Sequence, residues 1–409
     1  MQRQKFQRVT YAALTFFLFV LALASTASAA EYKVLYRFQG GTDGDHPGSD
    51  LIFDAAGNLY GTTSYGGAFG YGSVFKLTPN PDGSWSRSII YSFSLTNGDG
   101  GVPYAGLTWD TVGNLFGTTS QGGANGGTTG TVFKLTPNPD GSWSESVIHS
   151  FDGGDGALPR AGLIFDAASN LYGTTSGGGV SGSGAVFRLT PNPDGSWSES
   201  VLYSFRSGGR DGALPRAGLT WDAAGNLYGT TSTGGTYGRG TAFKLTPNPD
   251  GSWTRSKLHA FRTTDGDQPF AGLIFDAAGN LYGTTAAGGA DGLGTTFKLT
   301  PNPDGSWTRS KLHAFKGPDG ANPVAGLIFD AAGKLYGTTA NGGAYGYGTA
   351  FKLVPKPDGS WTSTKLHDFK GTDGANPVAG LIFDAAGNLY GTAGAGGMGN
   401  HGLVFRITP

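Results

Sequence analysis

The sequence contains no cysteine, so disulfides, thiolate metal sites and cysteine-linked lipid anchors are all excluded. Glutamate is almost as scarce, with three copies at Glu31, Glu145 and Glu199. Nearly every aspartate belongs to a repeated motif, so no unique pair of carboxylates indicates acid–base catalysis. No serine, threonine or lysine has a unique basic partner that would activate it as a nucleophile. An enzyme is therefore the less favoured interpretation, and we predict no catalytic residue, no metal site and no cofactor.

An excess of basic charge is also missing. The chain has 28 Lys and Arg residues against 29 Asp and Glu residues. Three of the basic residues, Arg3, Lys5 and Arg8, stand in the first 30 positions. No basic stripe is left to neutralise phosphates, so nucleic acid is not an expected partner.

Long hydrophobic runs are absent apart from one at residues 11–24. Its roughly 14 residues fall short of the roughly 20 that a membrane-spanning helix needs. The three basic residues precede this run and Ala27-Ser28-Ala29 follows it, which is the pattern of a secretory signal peptide. We expect residues 1–30 to be removed on export, leaving residues 31–409 as a single domain, secreted to the extracellular space or periplasmic, with no membrane span. An uncleaved N-terminal anchor is the alternative.

Glycine, by contrast, is abundant, with 74 residues that recur at fixed places in one motif. The motif reads Asp-Gly-x-x-Pro-x-Ala-Gly-Leu-Ile-Phe-Asp-Ala-Ala-Gly-Asn-Leu-Tyr-Gly-Thr-Thr, then a glycine-rich loop and Val-Phe-Lys-Leu-Thr-Pro. Its second aspartate marks seven copies, at Asp54, Asp110, Asp166, Asp222, Asp276, Asp330 and Asp384. These positions are 56, 56, 56, 54, 54 and 54 residues apart, which is the fixed period of a repeat protein.

Each copy contains four strand signals and no helical one. In the copy that begins at Ala271 we predict strands at 271–276, 281–285, 295–300 and 307–315, separated by turn residues. Four antiparallel strands in about 55 residues make one blade of a β-propeller. We therefore predict an all-β fold, a seven-bladed β-propeller with four antiparallel strands per blade. A β-solenoid is the competing architecture, although its coils need only about 20 residues each.

The two ends of the chain predict how the ring closes. The last copy ends after its third strand, at residues 404–409. The segment 32–38 aligns with the end of an outer strand, such as 311–315. We expect the N-terminal strand to complete blade seven, because this pairing removes the open edges of the ring.

The repeated residues have structural explanations. The small Ala-Gly pair before each inner strand permits close approach at the axis. The aspartate after each inner strand is expected to cap the following turn. The phenylalanine of each third strand is expected to pack between blades.

The phrase Gly-Leu-Ile-Phe-Asp-Ala-Ala-Gly-Asn-Leu-Tyr-Gly-Thr-Thr, followed by Gly-Gly and Val-Phe-Lys-Leu-Thr-Pro, resembles the GloVer (Gloeobacter/Verrucomicrobia) tandem repeat of bacterial exported proteins. The resemblance covers nearly all of residues 31–409 and implies an extracellular bacterial repeat protein. The Asp-x-x-Gly-Asn-Leu-Tyr hairpin is also similar to that of NHL-type propellers. That likeness concerns the fold and assigns no function.

The copies differ at the residue after the proline of Asp-Gly-x-x-Pro, where the chain reaches the mouth of the central channel. Around the ring this position holds Gly48, Tyr104, Arg160, Arg216, Phe270, Val324 and Val378. Aromatic rings combined with arginine suit stacking on sugars and pairing with carboxylates. The glycine-rich loops fall on the same face of the propeller. We predict a ligand-binding site formed by Tyr104, Arg160, Arg216, Phe270, Tyr237 and Arg239; sequence drift among near-identical copies is the alternative.

The aspartates of the Asp-Gly pairs form another set, at Asp43, Asp99, Asp155, Asp211, Asp265, Asp319 and Asp373. Seven carboxylates at one mouth of a channel could hold a hard cation such as calcium. Asp-Gly ahead of proline is also ordinary turn chemistry, and we favour the turn role.

The histidines suggest packing more than metal binding. Four of them share a repeat position that holds tyrosine in other blades: His149, His259, His313 and His367. A position that accepts either ring is expected to pack a ring with a polar tip. The other two, His46 and His401, lie in loops of blades one and seven, where Asp45 could join them around a metal.

Taken together, these patterns predict an exported, monomeric propeller that acts as a binding or interaction module. The expected partner is extracellular polysaccharide or a surface protein. Two other classes stay open: a hydrolase, lyase or lactonase at the channel, with or without calcium, and a purely structural surface or matrix protein.

Overall fold

In the computed structural model, which describes residues 30–124, 127–206 and 210–409, the chain forms seven four-stranded antiparallel units around an axial channel. The predicted all-β, seven-bladed propeller with four antiparallel strands per blade is confirmed. The predicted signal peptide lies outside the described residues, apart from Ala30. No helix in the described ranges is long and apolar enough to cross a membrane.

The strands are named here by their place in the blade, from the inner strand beside the axis to the outer strand at the rim. The inner strands are Ile52–Phe53, Thr108–Trp109, Ile164–Phe165, Thr220–Trp221, Ile274–Phe275, Ile328–Phe329 and Ile382–Phe383. The second strands are Leu59–Thr63, Leu115–Thr119, Leu171–Gly177, Leu227–Thr231, Leu281–Thr285, Leu335–Thr339 and Leu389–Ala393.

The third and outer strands are longer than the inner ones. The third strands are Ser73–Pro79, Thr131–Pro137, Ala185–Pro191, Thr241–Pro247, Thr295–Pro301, Thr349–Pro355 and Leu403–Thr408. The outer strands are Trp85–Ser92, Trp143–Ser150, Trp197–Ser204, Trp253–Ala260, Trp307–Ala314, Trp361–Asp368 and, for blade seven, Glu31–Arg37. Ala157–Pro159 pairs with Leu171–Gly177 as an additional strand of blade three. In the loops, Gly100–Gly101 pairs with Gln121–Gly122, and 3-10 turns occur at Gly41–Asp43 and Met398–Asn400.

The inner strands are shorter than the sequence predicts. The expected strand 271–276 is reduced to Ile274–Phe275, whereas 281–285 is confirmed without change. The residues ahead of the short strand lie against the neighbouring blade. A Cβ atom on Gly272 would stand 3.1 Å from the carbonyl oxygen of Gly218. This segment therefore packs against its neighbour at the axis and does not join a hydrogen-bonded ladder.

The turn between the inner and second strands is organised by the repeated aspartate. In blade one, Asp54 Oδ1 accepts hydrogen bonds from the backbone N–H groups of Ala56 and Asn58, both at 2.9 Å. Its Oδ2 accepts from Asn58 Nδ2 at 2.7 Å and from the Tyr60 hydroxyl at 3.0 Å. Burial acts to raise the pKa of Asp54, but these hydrogen bonds outweigh it and the pKa is lowered. The predicted capping role is confirmed.

Neighbouring blades are joined by a phenylalanine pair that recurs seven times. The phenylalanine just after each outer strand meets the third-strand phenylalanine of the next blade, as in Phe93 with Phe133. The rings meet at 61–70° with centroids 5.0–5.2 Å apart at all seven junctions. Such edge-to-face pairs add about 0.5–1.5 kcal/mol beyond the area they bury. The predicted packing of these phenylalanines between blades is confirmed.

The N-terminal strand completes blade seven, as predicted. Glu31–Arg37 pairs antiparallel with Leu403–Thr408, and Tyr32 lies opposite Ile407. Phe38, which follows this strand, is fully buried against Phe75 of blade one. The ring therefore closes through hydrogen bonds and packing between the two ends of the chain.

Candidate binding site in the axial channel

The channel is lined by side chains from three successive levels of the inner segments, and its cavity has a volume of about 530 Å³. The first level, at the mouth, holds the residues that follow each repeat proline. The second level, two residues further on, consists of six glycines and one aspartate. The third level carries isoleucine in five blades: Ile52, Ile164, Ile274, Ile328 and Ile382. The cavity thus changes from cationic and aromatic at the mouth to apolar at the third level.

Four of the six predicted site residues lie together at the mouth. Arg160 stacks on Tyr104, with its guanidinium carbon 4.8 Å from the ring centroid. Arg216 stacks on Phe270 at 5.2 Å. The two arginines belong to adjacent blades, so each is flanked by an aromatic ring on its outer side. The aromatic rings hold the guanidinium groups in place through cation–π contacts.

Neither arginine has a hydrogen-bonded or ionic partner in the parts of the chain that the structure describes. The Nε atoms of Arg160 and Arg216 are both buried without a hydrogen bond. Burial first, and then repulsion by Arg160, lower the pKa of Arg216. Two half-buried, like-charged groups without an anion between them are an unfavourable arrangement that a bound anion would relieve.

The second level contains a residue that the sequence analysis missed. Asp50 stands where the other six copies have glycine, as in Gly106 and Gly380. Its Oδ1 accepts a hydrogen bond from the backbone N–H of Gly380 at 2.6 Å. The side chain is exposed to the channel although the inner segments enclose it. Burial raises the pKa of Asp50, and the hydrogen bond from Gly380 acts in the opposite direction. Alignment of the seven copies at this column, and not only at the column two residues earlier, is the signal that reveals it.

The other two predicted site residues lie outside this lining. Arg239 forms an ion pair with Asp267, with Nη1 and Oδ2 2.9 Å apart, so its charge is already compensated. Tyr237 stacks under the guanidinium of Arg262 at 4.3 Å and lines a separate surface pocket near the outer strand. The structure thus brings Tyr104, Arg160, Arg216 and Phe270 together in the channel lining and leaves Tyr237 and Arg239 outside that lining.

The family model of the Gloeobacter/Verrucomicrobia repeat matches residues 20–168, 162–354 and 221–409 of this chain. The chain belongs to this family. The resemblance inferred from the repeated phrase is therefore confirmed. No curated protein matches the sequence.

Solved structures with distant similarity include three that cover 93% of this Gloeobacter/Verrucomicrobia repeat protein. One is a putative oxidoreductase (glucose dehydrogenase) of Thermus thermophilus, with 16% identity over 100% of that chain and a TM-score of 0.44. Another is a luciferin-regenerating enzyme, with 14% identity over 95% and a TM-score of 0.46. A third is a protein of unknown function from Dyadobacter fermentans, with 11% identity over 98% and a TM-score of 0.44. Similarity at this level carries no argument about activity.

The Asp-Gly aspartates of this repeat protein lie away from the channel lining, so a cation ring at the mouth is not formed by them. Asp43 accepts hydrogen bonds from the backbone N–H of Gln39 and the hydroxyl of Tyr36, both at 2.7 Å. In blade three the corresponding partner is a histidine, and His149 Nε2 lies 2.8 Å from Asp155. The favoured turn role is confirmed, and the Tyr or His position on the outer strand is explained by its contact with this aspartate.

At the outer rim, blades two and three carry a glutamate at an outer-strand position where blades one and four carry an arginine. Arg87 and Arg255 contact the Asp-Gly aspartates Asp43 and Asp211 with N–O distances of 2.6 and 3.0 Å. Glu145 occupies the same outer-strand position in blade two. Burial first, and then Asp99, raise the pKa of Glu145 to about 7.

The loop histidines are brought together at the junction of blades one and seven. His46 Nδ1 and His401 Nδ1 lie 2.8 and 3.1 Å from the same oxygen, Asp45 Oδ1. No group of three or more metal-ligating side chains in a suitable arrangement occurs within the described residues. The contact joins the two blades across the closure.

Proposed function

We propose that this protein is an exported binding module that takes an acidic polysaccharide at the mouth of its axial channel. The observation that carries the proposal is the pair of guanidinium groups of Arg160 and Arg216, each stacked on an aromatic ring and each lacking an anionic partner among the described residues. Arginine binds carboxylates through two parallel hydrogen bonds, and an aromatic ring beside it offers a face to a sugar.

The shape of the site favours a sugar chain over a folded protein partner. The two arginines line an open-mouthed axial cavity of about 530 Å³, the size range of small-molecule sites. A stable protein interface buries about 800 Å² on each partner, which calls for a broad surface and not a narrow channel. A carboxylated sugar residue presents both the anion and the small cross-section that this cavity accepts.

The export of the protein is part of the proposal and rests on the pattern of residues 1–30. The site would meet polysaccharide outside the cytoplasm, either in the periplasm or beyond the cell. We expect the removal of residues 1–30, and N-terminal sequencing of the protein recovered from the periplasm and the medium tests this. A chain that retains its first residues and stays in the cytoplasm would contradict the export proposal.

The binding proposal is tested with the purified protein and two polysaccharides matched in length, a polyuronate and a neutral glucan. We expect saturable binding of the polyuronate alone, measured by calorimetry. The double variant Arg160→Ala/Arg216→Ala should lose this binding. Arg206→Ala removes an exposed arginine outside the channel lining and serves as the matched control. Equal binding by the double variant and the wild type would remove the channel mouth as the site.

One observation favours a second candidate, an enzyme in the same channel. Asp50 is a carboxyl group with a raised pKa in a cavity that also holds two cationic groups. Release of shorter or unsaturated sugar products, lost in Asp50→Asn, would support a hydrolase or lyase. Dependence of that release on calcium would support the metal-assisted version. Absence of both binding and turnover would leave the structural role.

A further inference from the structure

Asp50 is the one carboxylate among the described residues that line the axial cavity. Asp50 belongs to the second level of the channel, whereas Arg160 and Arg216 belong to the mouth level. Two residues of extended chain separate these levels, which is at most about 7 Å along an inner segment. No ion pair joins Asp50 to either arginine. The same cavity thus presents two cationic groups and, one level deeper, a separate acceptor.

The architecture of the propeller does not require an aspartate at this level. Six of the seven blades have glycine there, and blade one is closed by the same hydrogen bonds and phenylalanine contact as the others. An enclosed carboxylate loses hydration that a glycine would not lose. Only Oδ1 is used within the protein, by the N–H of Gly380. The second oxygen has no hydrogen-bond partner among the described residues, and the residue itself lines the channel.

We propose that Asp50 selects hydroxylated ligands, by accepting hydrogen bonds from the ring hydroxyls of a hexuronate whose carboxylate is held by Arg160 and Arg216. This inference rests on the proposed function and assigns the specificity of that site. A hexuronate carries a carboxylate at one side of its ring and hydroxyl donors at the other. A carboxylate oxygen accepts only, so it recognises the hydroxyl donors and repels a second anion.

The level below Asp50 offers the ligand no charged group, so the charged contacts are those with Asp50, Arg160 and Arg216. Five blades carry isoleucine there, which offers neither a hydrogen-bond donor nor an acceptor, and the other two carry threonine, at Thr108 and Thr220. A polar sugar residue that enters from the mouth therefore finds its last charged partner at Asp50. The arrangement fits the terminal sugar residue of a polysaccharide, with the rest of the polymer outside the mouth.

The test compares two small ligands of equal charge and similar ring size, glucuronate and cyclohexanecarboxylate, of which only the first has hydroxyl groups. Dissociation constants are measured by ligand-observed NMR titration for the wild type, Asp50→Gly, Asp50→Asn and Arg160→Ala/Arg216→Ala. Asp50→Gly installs the residue of the other six blades, so it should fold normally. Its melting temperature and circular dichroism establish this.

We expect Asp50→Gly to weaken glucuronate binding about tenfold or more, as for loss of a hydrogen bond to a charged acceptor. Its affinity for cyclohexanecarboxylate should be unchanged or higher, because a repelling charge has been removed. The arginine double variant should lose both ligands. If Asp50→Gly binds glucuronate as well as the wild type, or loses both ligands equally, the inference is overturned while the arginine site stands. If the wild type binds neither ligand, or the double variant still binds both, the proposed function fails as well.

Discussion

Tyr32 of the N-terminal strand stacks face to face on His367 of blade six, with ring centroids 3.7 Å apart and ring planes within 4°. The Tyr32 hydroxyl also donates a hydrogen bond to the carbonyl oxygen of Asp373. The first strand of the chain therefore pairs with blade seven and contacts blade six at the same time. Closure therefore involves aromatic contacts as well as the backbone ladder.

The first prediction concerns this closure. Tyr32→Ala should lower the melting temperature by about 2 °C or more, because it removes a large packed ring whose loss costs on the order of 3 kcal/mol. Lys33→Ala, on the solvent side of the same strand, is the control. Deletion of residues 30–38 should go further and leave Leu403–Thr408 as an exposed edge. We expect the truncated chain to self-associate in light scattering; a truncated monomer with unchanged melting temperature would contradict the role of this strand.

The second prediction concerns the glycines at the axis. A Cβ atom on Gly272 would stand 3.1 Å from the carbonyl oxygen of Gly218, whereas one on Gly326 would have no atom within 4 Å. Gly272→Ala should therefore destabilise the propeller by about 1–3 kcal/mol, as expected for overpacking. Gly326→Ala should be nearly neutral. Chemical denaturation of both variants checks this, and equal losses would show that crowding between inner segments is not the reason for these glycines.

The third prediction concerns the pH dependence of stability at the outer rim. The pKa of Glu145 is about 7 in the fold, above its value of about 4.3 in an unfolded chain. The folded state therefore binds this proton more tightly, so the stability it contributes is complete below about pH 4 and is lost as the pH rises through 7. Glu145→Gln should raise the melting temperature at pH 8 and change it little at pH 4.

A second substitution at the same position separates charge from burial. Glu145→Arg copies the arrangement of Arg255 with Asp211 and should stabilise the protein at pH 8 by forming an ion pair with Asp99. Glu31, exposed on the N-terminal strand, gives the control variant Glu31→Gln. A pH profile that Glu145→Gln leaves unaltered would show that this carboxyl group is not the source.

The sequence was sufficient for the repeat architecture because each local signal agrees with the next. The turn bonded by Asp54, the phenylalanine pairs and the pairing of the two chain ends all follow from period and residue type. The contact between Asp155 and His149 could not be predicted, since it depends on how the loop after the outer strand folds back. Asp50 was missed for a different reason: its importance lies in what six other blades lack, and this column was interpreted only as the small Ala-Gly pair at the axis.

The last prediction concerns how the mouth arginines are held. The guanidinium of Arg160 lies 4.8 Å from the ring of Tyr104, whose hydroxyl is 3.4 Å from that of Tyr65. Tyr104→Leu keeps an apolar side chain but removes the π-face, and a cation–π contact contributes about 0.5–2 kcal/mol. Affinity for the polyuronate should therefore fall between about twofold and thirtyfold. Tyr104→Phe removes only the hydroxyl and should bind like the wild type. An equal loss in the two variants would show that the hydroxyl contact with Tyr65, and not the aromatic face, positions Arg160.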